Sequence, residues 1–513
     1  MTATLAEKQQ SLGTCCIVLH THLPWLAHHG AWPVGEEWLH QAWSASYLQV
    51  VEMLHRLGDQ GRRDILTLGI TPVLAAQLDD PYLLREFHTW LGFWRARAEG
   101  LARRPDRQLR ELASYEFRAA QAALQLFEDR WQCGASPVLR GLADGGVIEL
   151  LGGPATHPFQ PLLDDRVARF SLLSGLDDAR LRLGQRPAGL WAPECGHRPG
   201  LEQLYASVGI ERFLVDGPAL ERVGRSTGAA WRVGDSDVVA FGRDLGVTYR
   251  VWSPGASYPA GPDYRDFHTY DHKSGFRPSR VTGVQVEPAD KEPWDPGAAQ
   301  ALVERDAADF VSVVRARLSD LREQRDGRPG LVVVAYDTEL FGHWWHEGPQ
   351  FLERVLQLLP GAGVRLTTLR SATELGHVEG SVDLPAASWG SGKDWRVWDG
   401  EQVADLAEMG QRVQRRLVDT VDSVRARDAC AFSRRREDLD QMTREALLAL
   451  SSDWAFMVTK DSAASYARDR AGMHELRFRK LADGIAAGLD VTAEATRQRA
   501  EDGPFAHLDA RLL

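Results

Sequence analysis

The hydrophobic pattern of the chain changes period several times. From Thr14 the run TCCIVLH is short, apolar and β-branched, with a Gly before it and a Pro after, which predicts a strand buried on both faces. Helical spacing follows over 36–58, and ILTLGITPVL from Ile65 predicts a second strand. Across 81–135 Arg, Glu and Leu recur at helical intervals, which predicts a helical insertion. VIELLGG from Val147, GLWAPE from Gly189, RFLVDG from Arg212 and LVVVAYDTE from Leu331 are four more strands, separated by helical stretches such as 199–208 and 349–359. This alternation implies an α/β protein with a parallel sheet, most simply a closed or nearly closed β/α barrel.

The periodicity lapses over 242–296, where Gly, Pro, Tyr and Asp alternate in WSPGASYPAGPDYRDFHTYDHKSGFRPSR. Trp252, Tyr258, Tyr264, Phe267, Tyr270 and Phe276 favour an ordered lid there over a disordered tract. After about 381 the spacing is helical to the end, with helices expected at 402–427, 438–450 and 462–481. The expected division is therefore a barrel over 14–380 and an α-helical carboxyl-terminal domain over 381–513.

Composition narrows the partners. Lys and Arg number 60 against 71 Asp and Glu, and the net charge of −11 argues against broad electrostatic binding to nucleic acid or to an anionic membrane. The opening MTATLAEKQQSLGT holds no apolar core of a secretion signal, and no run of about 18 apolar residues occurs. Five scattered cysteines without a CxxC pair fit reduced thiols, so a cytoplasmic protein is expected. The 17 tryptophans stand out, because an indole offers a flat apolar face together with one N–H.

Polar residues gather where the expected strands end, which is where a β/α barrel carries its site. In HTHLPW, His20 and His22 are two apart and share a strand face, suiting either a metal ion or hydrogen bonds to a polar ligand. His157 follows a Gly-Gly turn. Glu194 ends a strand in GLWAPECGHRPG, and Asp337 ends another in LVVVAYDTELFGHWWHEGP, with Glu339, His343, Trp344, Trp345, His346 and Glu347 close behind. Two carboxylates on different strands, flanked by Trp, fit a glycosidase pair.

Together these segments resemble glycoside hydrolase family 57. The resemblance rests on HTHLP from His20, HPFQP from His157, WAPECG around Glu194, AYDTELFGHWW around Asp337, and SWGSGKDWRVW with Trp389 and Trp398. Within the family the chain is similar to the 1,4-α-glucan branching enzymes, through SSDWAFMVTKDSAASYARDR from Ser451 and SYPAGPDYRDFH from Ser257. The resemblance implies a (β/α)7-type barrel and a retaining double displacement, with Glu194 as nucleophile and Asp337 as acid/base. It implies that His20, His22 and His157 donate hydrogen bonds to sugar hydroxyls, and that Trp389, Trp398 and Trp294 are platforms for pyranose rings. It places Arg280, Gly297 and Asp453 at substrate-binding positions, and Tyr258 at the tip of a loop that keeps water from the intermediate. Ser257 and Ala260 stand where the family commonly has Gly, and the loop after Phe267 is short.

The implied partner is an α-glucan polysaccharide (amylose, glycogen or a methylated glucan), with no metal and no cofactor. The same site would also serve a 4-α-glucanotransferase or an α-amylase. A metal-dependent deacetylase-like barrel using His20, His22 and an Asp is the competing class, against which stands the lack of an HxxxH partner at suitable spacing. A non-catalytic glucan-binding protein would not need both carboxylates. Trp25, Trp191, Trp252, Trp344, Trp345, Trp389, Trp395 and Trp398, with Trp294, are expected to lie beside the site.

Overall fold

The computed structural model describes residues 11–32, 34–252, 257–427 and 429–513. Most of the amino-terminal stretch read for a secretion signal, and the start of the aromatic loop, lie outside the described residues. Ten strands are described: β1 (Gly13–Thr21), β2 (Leu66–Ile70), β3 (Ile148–Leu151), β4 (Gly189–Leu190), β5 (Arg212–Asp216), β6 (Ala230–Val233), β7 (Val239–Arg243), β8 (Gly330–Asp337), β9 (Val364–Thr367) and β10 (Val378–Val382).

β1 pairs in parallel with β8 along its length, and its other edge is shared by β9 at one end and β2 at the other. β3 continues from β2, a parallel bridge from Gly152 to Leu190 joins β4, and β5 and β7 follow in parallel. The Asp244 N–H donates to the Val333 carbonyl at 2.8 Å and returns the chain of strands to β8. β1, β2, β3, β4, β5, β7 and β8 thus close a seven-stranded β/α barrel. β6, β9 and β10 lie outside the ring, β6 running antiparallel to β7. Being covered on both faces, β1 and β8 are built almost wholly of buried apolar residues, among them Ile17, Val18, Val332, Val333 and Val334.

Several expectations shift. The run from Ile65 stops as a strand at Ile70 because Pro72 opens the helix Pro72–Leu78. β6, β7, β9 and β10 escaped the sequence reading because they are four or five residues long and lie among turn residues. The stretch 383–403 holds no long helix. Pro385, Gly390, Gly392 and Gly400 break it into the short turns Ser391–Lys393, Arg396–Asp399 and Glu401–Val403. In the aromatic loop, bridges join Arg265 to Arg280 and Ser279 to Pro293, and buried Tyr264 packs edge-on against Trp345 and bonds Asp306 at 2.9 Å.

Two elements reach the barrel from outside. The helices Pro81–Leu101 and Arg107–Leu126 pack on each other as the insertion, joined by the Trp94 indole N–H to Glu116. The carboxyl-terminal helices Ala404–Arg427, Glu437–Ala449, Ser452–Thr459, Ala464–Ala486 and Thr492–Glu501 form the second body. Asp502 accepts from His29 at 2.7 Å, tying that body to the loop after β1.

Candidate active site

Glu194 lies on a single turn, Pro193–Cys195, that follows the two-residue β4. Its φ is 61°, and Cys195 beside it and His157 after β3 also have positive φ, 49° and 55°. Side chains avoid this left-handed region at a cost of roughly 1–2 kcal/mol each. Three such residues at one place mark a backbone bent by its surroundings to aim side chains.

The Glu194 carboxylate is buried and held at both oxygens. Ser452 Oγ donates to Oε1 at 2.8 Å, and the Trp389 indole N–H donates to Oε2 at 2.8 Å. Burial pushes its pKa up to about 7, against the opposing pull of the Trp389 and Ser452 hydrogen bonds. Asp337 closes β8 opposite His20 in register, and among the described residues its carboxylate has no hydrogen bond. Burial first, then the negative charge of Glu194, lifts its pKa to about 7 as well. The two carboxyls repel each other, and the geometry makes them unequal: Glu194 receives two hydrogen bonds that favour its ionised form, whereas Asp337 receives none among the described residues.

Behind Glu194 runs a hydrogen-bonded chain. Ser452 gives its proton to Glu194, so it accepts from His157 Nδ1 at 2.9 Å, and His157 Nε2 then accepts from His20 Nε2 at 3.0 Å. This assigns both tautomers from the network. Burial holds both rings well below the usual imidazole range, hence neutral. His20 is stacked on Trp191, with centroids 4.2 Å apart. His22 bonds Thr71 through Nδ1 at 3.0 Å and Asp453 through Nε2 at 2.9 Å. Burial would raise Asp453, but His22 outweighs it and keeps the group ionised.

His22, His157 and Asp453 converge closely enough to hold an ion. Every ring nitrogen of the two histidines is already engaged by Thr71, Asp453, Ser452 or His20. The set is a closed hydrogen-bond network with no lone pair aimed at a shared point, which is a poor fit to a metal centre.

Of the expected site residues, Glu194, Asp337, His20, His22, His157, Trp389 and Asp453 come together. Both ring nitrogens of His22 and His157 are engaged within the protein, whereas His20 bonds through Nε2 alone and its Nδ1 has no hydrogen-bond partner among the described residues. Trp389 is a donor to Glu194 with its ring edge-on to Trp191, 5.2 Å between centroids. Trp398 is corrected from platform to wall: it is 2 % exposed and its face is covered by Phe159 at 4.5 Å. Trp294 is likewise buried, its N–H on Glu347 and its face under Arg265.

Arg280 is committed to Asp263 and Glu292, and the Gly297 N–H is capped by Asp295. Tyr258 turns its hydroxyl onto Asp309 at 2.6 Å. None of Trp294, Arg280, Gly297 and Tyr258 bonds the carboxylate cluster among the described residues. Five of the nine tryptophans expected at the site, Trp25, Trp191, Trp294, Trp345 and Trp398, are buried, so most of the indole excess packs the core.

Sequence reasoning missed Ser452 and left Glu339 without a role, although both stand inside motifs it quoted. Glu339 accepts from the Tyr47 hydroxyl at 2.5 Å and the His22 backbone N–H at 3.2 Å, and burial, then Asp337, pushes it up to about 8. It pins the chain after β1 to the chain after β8. A cavity of about 70 Å³ lies beside Ser452, lined by Phe159, Trp398, Gln414 and Trp454, between the loop after β3 and the carboxyl-terminal helices.

Residues 16–385 match the family description "Glycosyl hydrolase family 57", and residues 410–513 match "1,4-alpha-glucan branching enzyme, C-terminal". The chain is 51% identical over 98% of its length, and 98% of the relative's, to a probable 1,4-alpha-glucan branching enzyme of Mycobacterium tuberculosis. The crystal structure of a branching enzyme of this type from Pyrococcus horikoshii superposes with a TM-score of 0.91 at 31% identity, covering 98% of this chain and 96% of that one. That of the α-amylase AmyC from Thermotoga maritima gives 0.85 at 25% identity, with 98% of each chain covered.

Proposed function

The chain belongs to glycoside hydrolase family 57, and on that premise we propose that it is a 1,4-α-glucan branching enzyme. It cleaves an α-1,4 bond and transfers the freed segment to a 6-hydroxyl of an α-glucan. The observation that carries the reading is the unequal carboxyl pair at the ends of β4 and β8. Asp337 protonates the glycosidic oxygen as it leaves, and Glu194 attacks the anomeric carbon to form a glycosyl ester. Asp337, now ionised, takes the proton from the incoming 6-hydroxyl, whose oxygen displaces Glu194. Asp453, partly exposed beside His22, is a substrate-binding position within this cluster.

The substrate is amylose, glycogen or a methylated glucan, and the barrel over 14–380 shares the groove with the helical unit over 381–513. A neutral polysaccharide needs no basic surface, in keeping with the net charge of −11. Free Cys15, Cys16, Cys133, Cys195 and Cys430 support a cytoplasmic setting. Hydrolysis is the second reading, favoured by the likeness to an α-amylase and by Tyr258 being turned onto Asp309. Incubation with amylose followed by proton NMR decides between them. New α-1,6 anomeric signals are expected, and reducing ends alone would move the assignment to a hydrolase.

A further inference from the structure

Arg243 closes β7 and is buried beneath Trp389. Its Nε donates to Asp216 Oδ1, at the end of β5, at 2.8 Å. Lys393 Nζ pairs with the other Asp216 oxygen at 2.7 Å and donates to the Trp389 carbonyl at 3.0 Å. The Arg243 guanidinium carbon sits 5.2 Å from the centre of the Trp389 ring. Trp389 in turn gives its indole N–H and its backbone N–H to Glu194.

We infer that Arg243, braced by Asp216 and Lys393, is a positioning residue for the nucleophile: it clamps the Trp389 indole in the orientation that donates to Glu194 and keeps a buried positive charge beside the carboxylate pair. The inference rests on Glu194 being the nucleophile.

Three physical points support it. A guanidinium over an indole face attracts the ring and draws electron density from it, which strengthens the N–H as a donor. Burying an arginine is costly unless it is paired, and Asp216 supplies that pair, so the cation stays fixed while substrate comes and goes. The charge also reaches Asp337, where, after His22, it opposes the rise caused by burial and Glu194. The charged or titratable groups facing the two carboxyls are His157 after β3, Cys195 beside Glu194, His22 after β1, Glu339 after β8, Asp453 on the carboxyl-terminal helix, and Arg243 with Asp216 and Lys393 behind it. Arg243 and Lys393 are the permanent cations of that set, whereas a histidine carries a charge only when protonated.

The test is the pH profile of kcat/KM for branching of amylose, measured on the full chain. Arg243→Met is expected to lower kcat at least tenfold and to move both limbs to higher pH, since losing the cation makes both carboxyls harder to ionise. Arg243→Lys keeps the charge and is expected to bring the limbs back toward those of the unmodified enzyme. Lys393→Met, at a partly exposed position, is expected to shift the acid limb the same way by less, and decides the matter if Arg243→Met does not fold. Folded variants with an unmoved profile, or an Arg243→Lys profile shifted as far as that of Arg243→Met, overturn the inference. Glu194→Gln in the same assay separates the two readings: full activity there refutes the nucleophile, whereas an inactive Glu194→Gln beside an unshifted Arg243→Met refutes the clamp alone.

Discussion

Trp389 gives both of its N–H groups to Glu194, the indole Nε1–H to Oε2 at 2.8 Å and the backbone N–H to the carbonyl oxygen at 2.9 Å. The residue therefore fixes the backbone and the carboxylate of Glu194 together. Together with Ser452 on the other carboxylate oxygen, a residue 195 positions away thus holds both the left-handed turn and the aim of the side chain.

Trp389→Phe keeps a ring in place and removes the donor. A hydrogen bond to a charged group contributes about 1.5–3 kcal/mol, so kcat/KM is expected to fall roughly ten- to a hundredfold. The acid limb of the pH profile moves to higher pH, because ionised Glu194 has lost a partner. Initial branching rates across pH measure both effects, and an unchanged limb would show that the donor does not tune the nucleophile.

The two carboxylates are distinguishable by azide rescue. With an activated α-glucosyl donor, Glu194→Ala should recover turnover with azide and give a β-glucosyl azide, since azide then attacks the face that Glu194 left. Asp337→Ala should give the α-glucosyl azide, formed from the ester on Glu194. NMR of the products reads the anomer, and the opposite pairing would exchange the roles.

Asp337 also sets a pH dependence of stability. Its pKa rises from 3.8 to about 7 on folding, so the folded protein binds that proton more tightly than the unfolded chain. The wild type then loses stability relative to Asp337→Asn as pH climbs from about 4 to 7, and the full deficit remains above 7. Thermal unfolding should show nearly equal midpoints at pH 4 and a higher midpoint for Asp337→Asn at pH 8. A gap that is constant across pH would mean that the carboxyl is not perturbed.

Tyr258 is tethered to Asp309, and its ring lies 5.5 Å from Phe351. If the loop closes over the ester to exclude water, Asp309→Ala should free Tyr258 and raise the ratio of new α-1,6 linkages to new reducing ends. Tyr258→Ala should lower that ratio. Identical ratios in both variants would remove Tyr258 from the choice between transfer and hydrolysis.

Glu194 and Asp337 were legible because each follows an apolar strand and precedes a turn, and a β/α barrel delivers such positions to its mouth. The histidines were legible as a group on the same grounds. Their partners were not. Ser452 touches Glu194 across 258 residues, and nothing in SSDW says which helix end will meet which turn. Trp389 and Trp398 occur in one motif nine residues apart, yet one bonds Glu194 and the other packs against Phe159.

The sequence by itself determined the alternation of buried strands and helices, the two carboxylates at strand ends, and the acidic net charge, because these follow from local periodicity and side-chain chemistry. Only the tertiary structure decided which carboxyl receives hydrogen bonds, which indoles face the site, and that Arg243 lies beneath Trp389. The physical reason is range. Burial, hydrogen bonding and the field of a neighbouring charge act over a few ångströms of space, and barrel closure brings within that distance residues hundreds of positions apart.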